Sequence, residues 1–137
     1  MIVADTNLVS YLLIDGDRTE AARRVWARDP EWILPTLWRS EFLNVLATMV
    51  RLGHLEARDA TSVWRRALSL VSRSETEPEG ERVLGTAIEH GISACDAQFV
   101  AVAEVLEAPL VTCDRALAAA CSHVAVEAER FGRRTGT

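Results

Sequence analysis

Apolar residues along this chain come in two spacings. Short unbroken runs at 2–4, 32–34, 109–112 and 124–126 read as buried strands. Between them, longer stretches place an apolar side chain every three or four residues, the period of a helix with one face in a core. Residues 8–14 fit such a helix, and after the Asp15-Gly16-Asp17 turn residues 19–28 fit a second, on which Ala22, Val25 and Trp26 share a face. Asp29 and Pro30 break it. Residues 37–52 carry a stripe of Trp38, Phe42, Val45, Leu46 and Met49 and stop at Gly53. Residues 57–71 align Val63, Trp64, Ala67, Leu68 and Val71. The polar segment 72–79, with Pro78, predicts a loop or a short edge strand. Further helices are predicted over 80–90, stopped by Gly91, over 93–107, and over the alanine-rich 114–121. Short strands alternating with helices predict an α/β fold, a parallel sheet with helices on both faces. No repeat or linker divides the chain, so 1–131 is expected as a single domain and 132–137 as a disordered tail.

Composition narrows the classes. A chain of 137 residues with 49% apolar and 26% charged side chains has enough material for one real core. No stretch approaches the ~20 apolar residues of a membrane span. The early apolar run at 8–14 contains Ser10, follows Asp5 and lacks a basic lead-in, so it is not expected to be a signal peptide, and a cytoplasmic location is the expectation. Cys95, Cys113 and Cys121 are odd in number and irregularly spaced, which fits a reducing compartment. A zinc site from Cys113, Cys121 and His123 is conceivable, but without a CxxC or HxxxH pair the favoured reading is small, mostly buried thiols. The net charge of −5 argues against bulk electrostatic binding of nucleic acid. All 15 basic residues are arginine. Chemistry that needs a lysine beside a phosphoryl group is excluded, which argues against a receiver domain and weakens a haloacid-dehalogenase-like reading.

Four carboxylates remain of interest: Asp5, Glu41, Asp96 and Asp114. Asp5 follows the first strand and Asp114 the strand at 109–112, so both fall at the carboxyl edge where α/β sheets build sites. Each also fits a helix N-cap. Asp96 completes a Ser-x-x-Asp capping box with Ser93. Glu41 lies inside a helix at the border of its core stripe, where capping does not account for it; Arg39 and Arg115 are candidate partners. Asn44 shares its face and is placed to hydrogen-bond Glu41 or a bound water. Carboxylates gathered without cations repel, by about 4 kcal/mol per pair at roughly 4 Å and an effective dielectric near 20. Protons or metal ions must neutralise such a group, so the set is a candidate divalent-metal site suited to phosphodiester chemistry. The histidines form no nucleophile pattern with serine or cysteine, and there is no glycine-rich phosphate loop.

The segments VADTNLVSYLL, SEFLNVL, SACDAQFVAVAEVLEAPLVTCDRALA and VAVEAERF, spread over residues 1–131, resemble PIN-domain proteins, most of all the ribonuclease toxins of bacterial VapBC toxin–antitoxin modules. The resemblance implies a PIN-like three-layer α/β/α sandwich in which Asp5, Glu41, Asp96 and Asp114 surround one or two Mg²⁺ or Mn²⁺ ions, supported by Asn7 and Thr112. It implies metal-dependent cleavage of single-stranded or looped RNA, a homodimer, and a VapB-like antitoxin that covers the site. Cys95 and Cys113, directly before two of the acids, depart from its usual aromatic or small residues and raise a question of oxidation sensitivity.

Within that reading, Asp5 and Asp96 are expected to ligate directly, with Glu41 and Asp114 on a second ion or its waters. RNA contacts must come from arginines, with Arg39 and Arg115 the main candidates beside Arg18, Arg23 and Arg24. The four tryptophans are expected mostly in the core, with one or two lining a groove for an antitoxin helix. The competing readings are a catalytically silent RNA-binding or scaffold domain and a DNA-directed nuclease.

Overall fold

Four of the predicted strands form, and a fifth joins them at the edge. In a computed structural model that describes residues 1–133, β1 (Ile2–Ala4) is buried at every position and lies at the centre of the sheet. It pairs in parallel with β2 (Trp32–Pro35) on one side and with β4 (Leu110–Thr112) on the other. The outer strands are β3 (Glu75–Thr76), in the segment expected to be a loop or edge strand, and β5 (Ala125–Glu127). The order is β3-β2-β1-β4-β5, all parallel, so every strand points its carboxyl end to the same edge. That common edge follows from helical crossovers, which return the chain to start each new strand in the same direction.

The helices are α1 (Thr6–Leu13), α2 (Thr19–Arg28), α3 (Trp38–Arg51), α4 (Ala57–Val71), α5 (Gly80–His90), α6 (Ala94–Leu106), α7 (Arg115–Ala120) and α8 (Ala128–Arg133). On α4 the buried residues Val63, Ala67 and Val71 are spaced by four, the single stripe of a surface helix. By contrast, α6 buries Ala97, Phe99, Val100, Ala101, Val102 and Ala103 and so is enclosed on more than one side. It packs across β1, β2 and β4, while α5 covers its outer face through Val83 against Ala97 and Ala101. Gly91 ends α5 with φ of +64°, a left-handed conformation that glycine adopts without a Cβ penalty. No helix among the described residues is long and apolar enough to cross a membrane.

The tryptophans are packing residues. Trp38 packs at a tilt against Phe42 and Trp64 at ring separations of 6.0 and 5.6 Å, and its indole N–H donates to Glu75 at 3.1 Å. Trp26 meets Trp32 edge-on at 5.2 Å.

The first helix begins at Thr6 with Asp5 as its N-cap, one of the two roles open to Asp5. One expectation needs correction: Gly132 and Arg133, placed in the tail, belong to α8, which packs against α2. A Cβ on Gly132 would meet the Arg24 Cβ at 3.0 Å, so glycine there lets the two helices approach closely without displacing Arg24. The Arg28 guanidinium lies over the Phe131 ring at 4.2 Å and donates to its carbonyl. The domain therefore extends to Arg133, and the rest of the expected tail, 134–137, lies outside the described residues.

Candidate functional site

At the carboxyl edge of β1 and β4, a cleft of about 270 Å³ is lined by Asp5, Thr6, Asn7, Glu41, Asn44, Val45, Asp96, Phe99, Asp114 and Leu117. All four carboxylates singled out in the sequence reach it, from four different parts of the fold. No arginine or histidine is among its lining residues, and none of the four acids takes part in an ion pair among the described residues.

The sheet sets the floor. Asp5 leaves β1 only 9% exposed. Its Oδ1 accepts from the Leu8 N–H at 2.9 Å, and its Oδ2 accepts a short hydrogen bond from the Thr112 hydroxyl at the end of β4. Thr112 in turn accepts from the Asp114 N–H at 3.0 Å. One hydroxyl thus ties the ends of the two central strands together. Asp114 caps α7 by accepting from the Leu117 N–H at 3.0 Å. Ser93 caps α6, accepting from the Asp96 N–H at 3.0 Å, and Asp96 in the first turn faces the cleft. Capping and site lining are not alternatives here. Asp5 and Asp114 do both, one carboxylate oxygen serving the helix.

Glu41 is held in a way the sequence did not suggest. Neither arginine candidate pairs with it: Arg39 donates to Glu75 at 2.8 Å through Nε, and Arg115 lies 3.6 Å from Glu127. Instead the Thr6 hydroxyl donates to Glu41 Oε1 at 2.7 Å, fastening α3 to the first turn of α1. Thr6 lies in the quoted Asp-Thr-Asn run, but its partner is 35 residues away and invisible to local pattern. Asn7 and Asn44 are exposed on the cleft wall. None of the tryptophans lines it.

Burial dominates the electrostatics. It pushes the Asp5 carboxyl above the usual range; the Thr112 hydroxyl and Leu8 N–H oppose the shift, and the Asp114 charge adds to it. Asp96 is likewise raised, first by burial, with the Ser93 hydrogen bond opposing and Asp114 reinforcing. Burial and the Asp5 charge push the Cys113 thiol up to about 11, so it stays protonated and a poor nucleophile at neutral pH. Cys121 is buried, whereas Cys95 is exposed, against the expectation of mostly buried thiols. The zinc set of Cys113, Cys121 and His123 does not assemble among the described residues; His123 lies instead beside His90 and Glu104.

A cleft of carboxylate, amide and hydroxyl oxygens with no cation fits a hard divalent ion. No three of the four carboxylates bring oxygens within 4.8 Å of one another among the described residues.

Comparison with known proteins bears on the family and the fold. A family model described as the PIN domain matches residues 2–122. Ribonuclease VapC3 of Pyrobaculum aerophilum is 29% identical over 123 residues, covering 85% of this chain and 92% of its own. A crystal structure of a protein from Pyrobaculum aerophilum superposes with a TM-score of 0.77 at 27% identity, over 97% of this chain and 87% of that one. A toxin–antitoxin complex from Klebsiella pneumoniae superposes at 0.67 with 20% identity, and FitAcB from Neisseria gonorrhoeae at 0.68 with 19%; both cover 93% of this chain and 98% of the other. At those identities these two show the shared fold.

Proposed function

This chain belongs to the PIN-domain family, and from that premise we propose that it is a divalent-metal-dependent endoribonuclease, the toxin of a toxin–antitoxin pair. The observation that carries this reading is the convergence of Asp5, Glu41, Asp96 and Asp114 on one cleft that holds no cationic side chain. The ribonuclease relative, similar over most of both chains, supports RNA as the substrate.

Asp5, Glu41, Asp96 and Asp114 would hold one or two Mg²⁺ or Mn²⁺ ions, which supply Lewis acidity toward a phosphoryl oxygen and toward water. Thr112 keeps Asp5 aimed and joined to Asp114, and Thr6 keeps Glu41 at the wall. Asn7 and Asn44 offer amide groups to sugar or phosphate at the rim. The cleft continues past Asn7 and Val45 into a groove lined by Tyr11, Arg18 and Met49. Arg18 lies over the Tyr11 ring at 5.6 Å and donates to the Cys113 carbonyl at 3.4 Å, so a cation and an aromatic ring stand beside the acids. Arg115, with its loose ion pair, suits RNA contact better than Arg39, which is engaged by Glu75.

We assign the apolar face of α5, where Leu84 and Ile88 are 59% and 74% exposed one turn apart, to self-association. An antitoxin segment covering the cleft completes the reading.

The test is cleavage of matched RNA and DNA oligonucleotides by purified protein with Mg²⁺ or Mn²⁺, beside chelator and Asp5→Asn controls. RNA cleavage lost with chelator and with Asp5→Asn is the expected result. Equal cleavage by wild type and variant exposes a contaminant. RNA binding without cleavage supports the silent domain, and preference for DNA supports a DNA-directed nuclease.

A further inference from the structure

The far end of α6 carries a second cluster of different chemistry. His90 is the last residue of α5, Glu104 lies on the last turn of α6, and His123 lies in the turn before β5. One ligand atom from each lies within 4.8 Å of the others. The His123 Nε2 is 2.9 Å from Glu104 Oε2, and the His90 and His123 rings stack at 4.9 Å with planes 18° apart. Three elements distant in sequence bring two imidazoles and a carboxylate to one point on the surface.

We propose that His90, Glu104 and His123 form a zinc-binding clip, separate from the acidic cleft, that fastens the α5–α6 pair to the β5 edge of the sheet. Two nitrogens and one oxygen are a donor set that suits Zn²⁺ over Mg²⁺. Bonds of about 2.0–2.1 Å in a tetrahedron place ligand atoms about 3.3 Å apart. The His123–Glu104 pair at 2.9 Å is close to that distance, all three ligand atoms lie within 4.8 Å of one another, and all three side chains are at least partly exposed, which leaves them room to adjust around an ion. Three protein ligands leave the fourth position to water. Asp96 and Glu104 are eight residues apart on α6, about 12 Å along its axis, so the two sites do not share an ion. They also sort metals: the cleft offers oxygens at wide spacing, the clip offers imidazole at close spacing.

The alternative is an ordinary His123–Glu104 ion pair beside a stacked imidazole, and the experiment separates the two. The full chain, stripped with chelator and held in excess Mg²⁺ to occupy the cleft, is titrated with Zn²⁺ by calorimetry and by thermal melting. The variants are His123→Ala, His90→Ala with His123→Ala, Glu104→Gln and Asp5→Asn. The clip predicts one zinc per chain and a melting temperature raised by about 8 °C at a zinc concentration of roughly 100 Kd. His123→Ala weakens zinc by at least about 100-fold, the upper end of what loss of a mere supporting group costs at a metal site. Asp5→Asn binds zinc as wild type does, which separates the clip from the proposed nuclease site. X-ray absorption of the zinc-loaded protein shows nitrogen and oxygen neighbours only. Unchanged zinc affinity in the double histidine variant, binding that requires Asp5, or sulfur neighbours from the cysteines each overturn the proposal. His123 is exposed in a turn, so its variant folds; should the double variant fail to fold, His123→Ala and Glu104→Gln still decide the question.

Discussion

The floor and the wall of the acidic cleft hold their carboxylates by different means. On the floor, Asp5 and Asp114 leave adjacent parallel strands whose register pairs Val3 with Leu110 and Ala4 with Val111. Backbone N–H groups and the Thr112 hydroxyl then fix the side chains. On the wall, Glu41 sits on a helix and is held by the single Thr6 hydroxyl, and Asp96 sits in the first turn of α6. Floor positions are thus part of the sheet, whereas wall positions depend on how helices pack. Of the four carboxylates Asp5 is the most buried, so it carries the largest cost of keeping charge where no cation compensates it.

This contrast predicts a graded loss of activity. Asp5→Asn should lower RNA cleavage by about 10³-fold or more, equivalent to about 4 kcal/mol of transition-state stabilisation, the scale expected of a group that positions a metal. Glu41→Gln should cost about 10²-fold, and part of that loss should return at higher Mn²⁺ concentration, because the wall can readjust. Single-turnover rates over a metal titration measure both. If Glu41→Gln proves as damaging as Asp5→Asn at every metal concentration, the distinction between floor and wall is wrong.

Stability should follow the same order. Thr112→Val leaves the buried Asp5 oxygen without its donor and should destabilise the fold by about 1–3 kcal/mol, read from urea unfolding. Thr6→Val, at the partly buried wall, should cost less than about 1 kcal/mol while still lowering cleavage. Equal destabilisation by the two would show that the floor gains nothing from its place in the sheet.

Much of this was legible in the chain because the relevant signals are local. The helices Thr19–Arg28, Ala57–Val71 and Gly80–His90 fall where periodicity places them, the first and last ended by the Pro30 and Gly91 stops. The parallel sheet followed from short apolar runs between helices. What escaped notice depends on contacts between distant residues. The bond from Thr6 to Glu41 and the pairing of Arg39 with Glu75 join residues 35 and 36 apart, so an arginine near Glu41 in sequence was a misleading partner. The last helix has six residues, too few to show a period, and packing against α2 holds it. Capping looked like a rival to a site role only because sequence shows a residue's position and not that its two oxygens can serve different groups.

The smallest expected effect concerns pH, and its sign follows from burial. Asp5 and Asp96 both titrate above their ordinary value in the folded, metal-free protein. The folded state therefore binds more protons than the unfolded chain in the window from about 3.8 up to each raised value. The stability these groups contribute is fully present below that window and is lost as pH rises through it. Glu75, lowered chiefly by the hydrogen bond from Arg39, acts in the opposite direction, so the wild-type curve alone does not isolate the cleft. The difference between Asp5→Asn and wild type does. Without metal, the variant should gain on wild type as pH rises toward neutrality, and below the window that relative gain should vanish. Saturating Mg²⁺ should shrink or reverse the gain, because an ion neutralises the carboxylates that wild type alone presents in full. Melting temperatures of both proteins across pH, with and without Mg²⁺, test this. A difference that ignores both pH and Mg²⁺ would mean that the floor carboxylate bears no electrostatic cost, leaving its burial without the metal-binding explanation offered here.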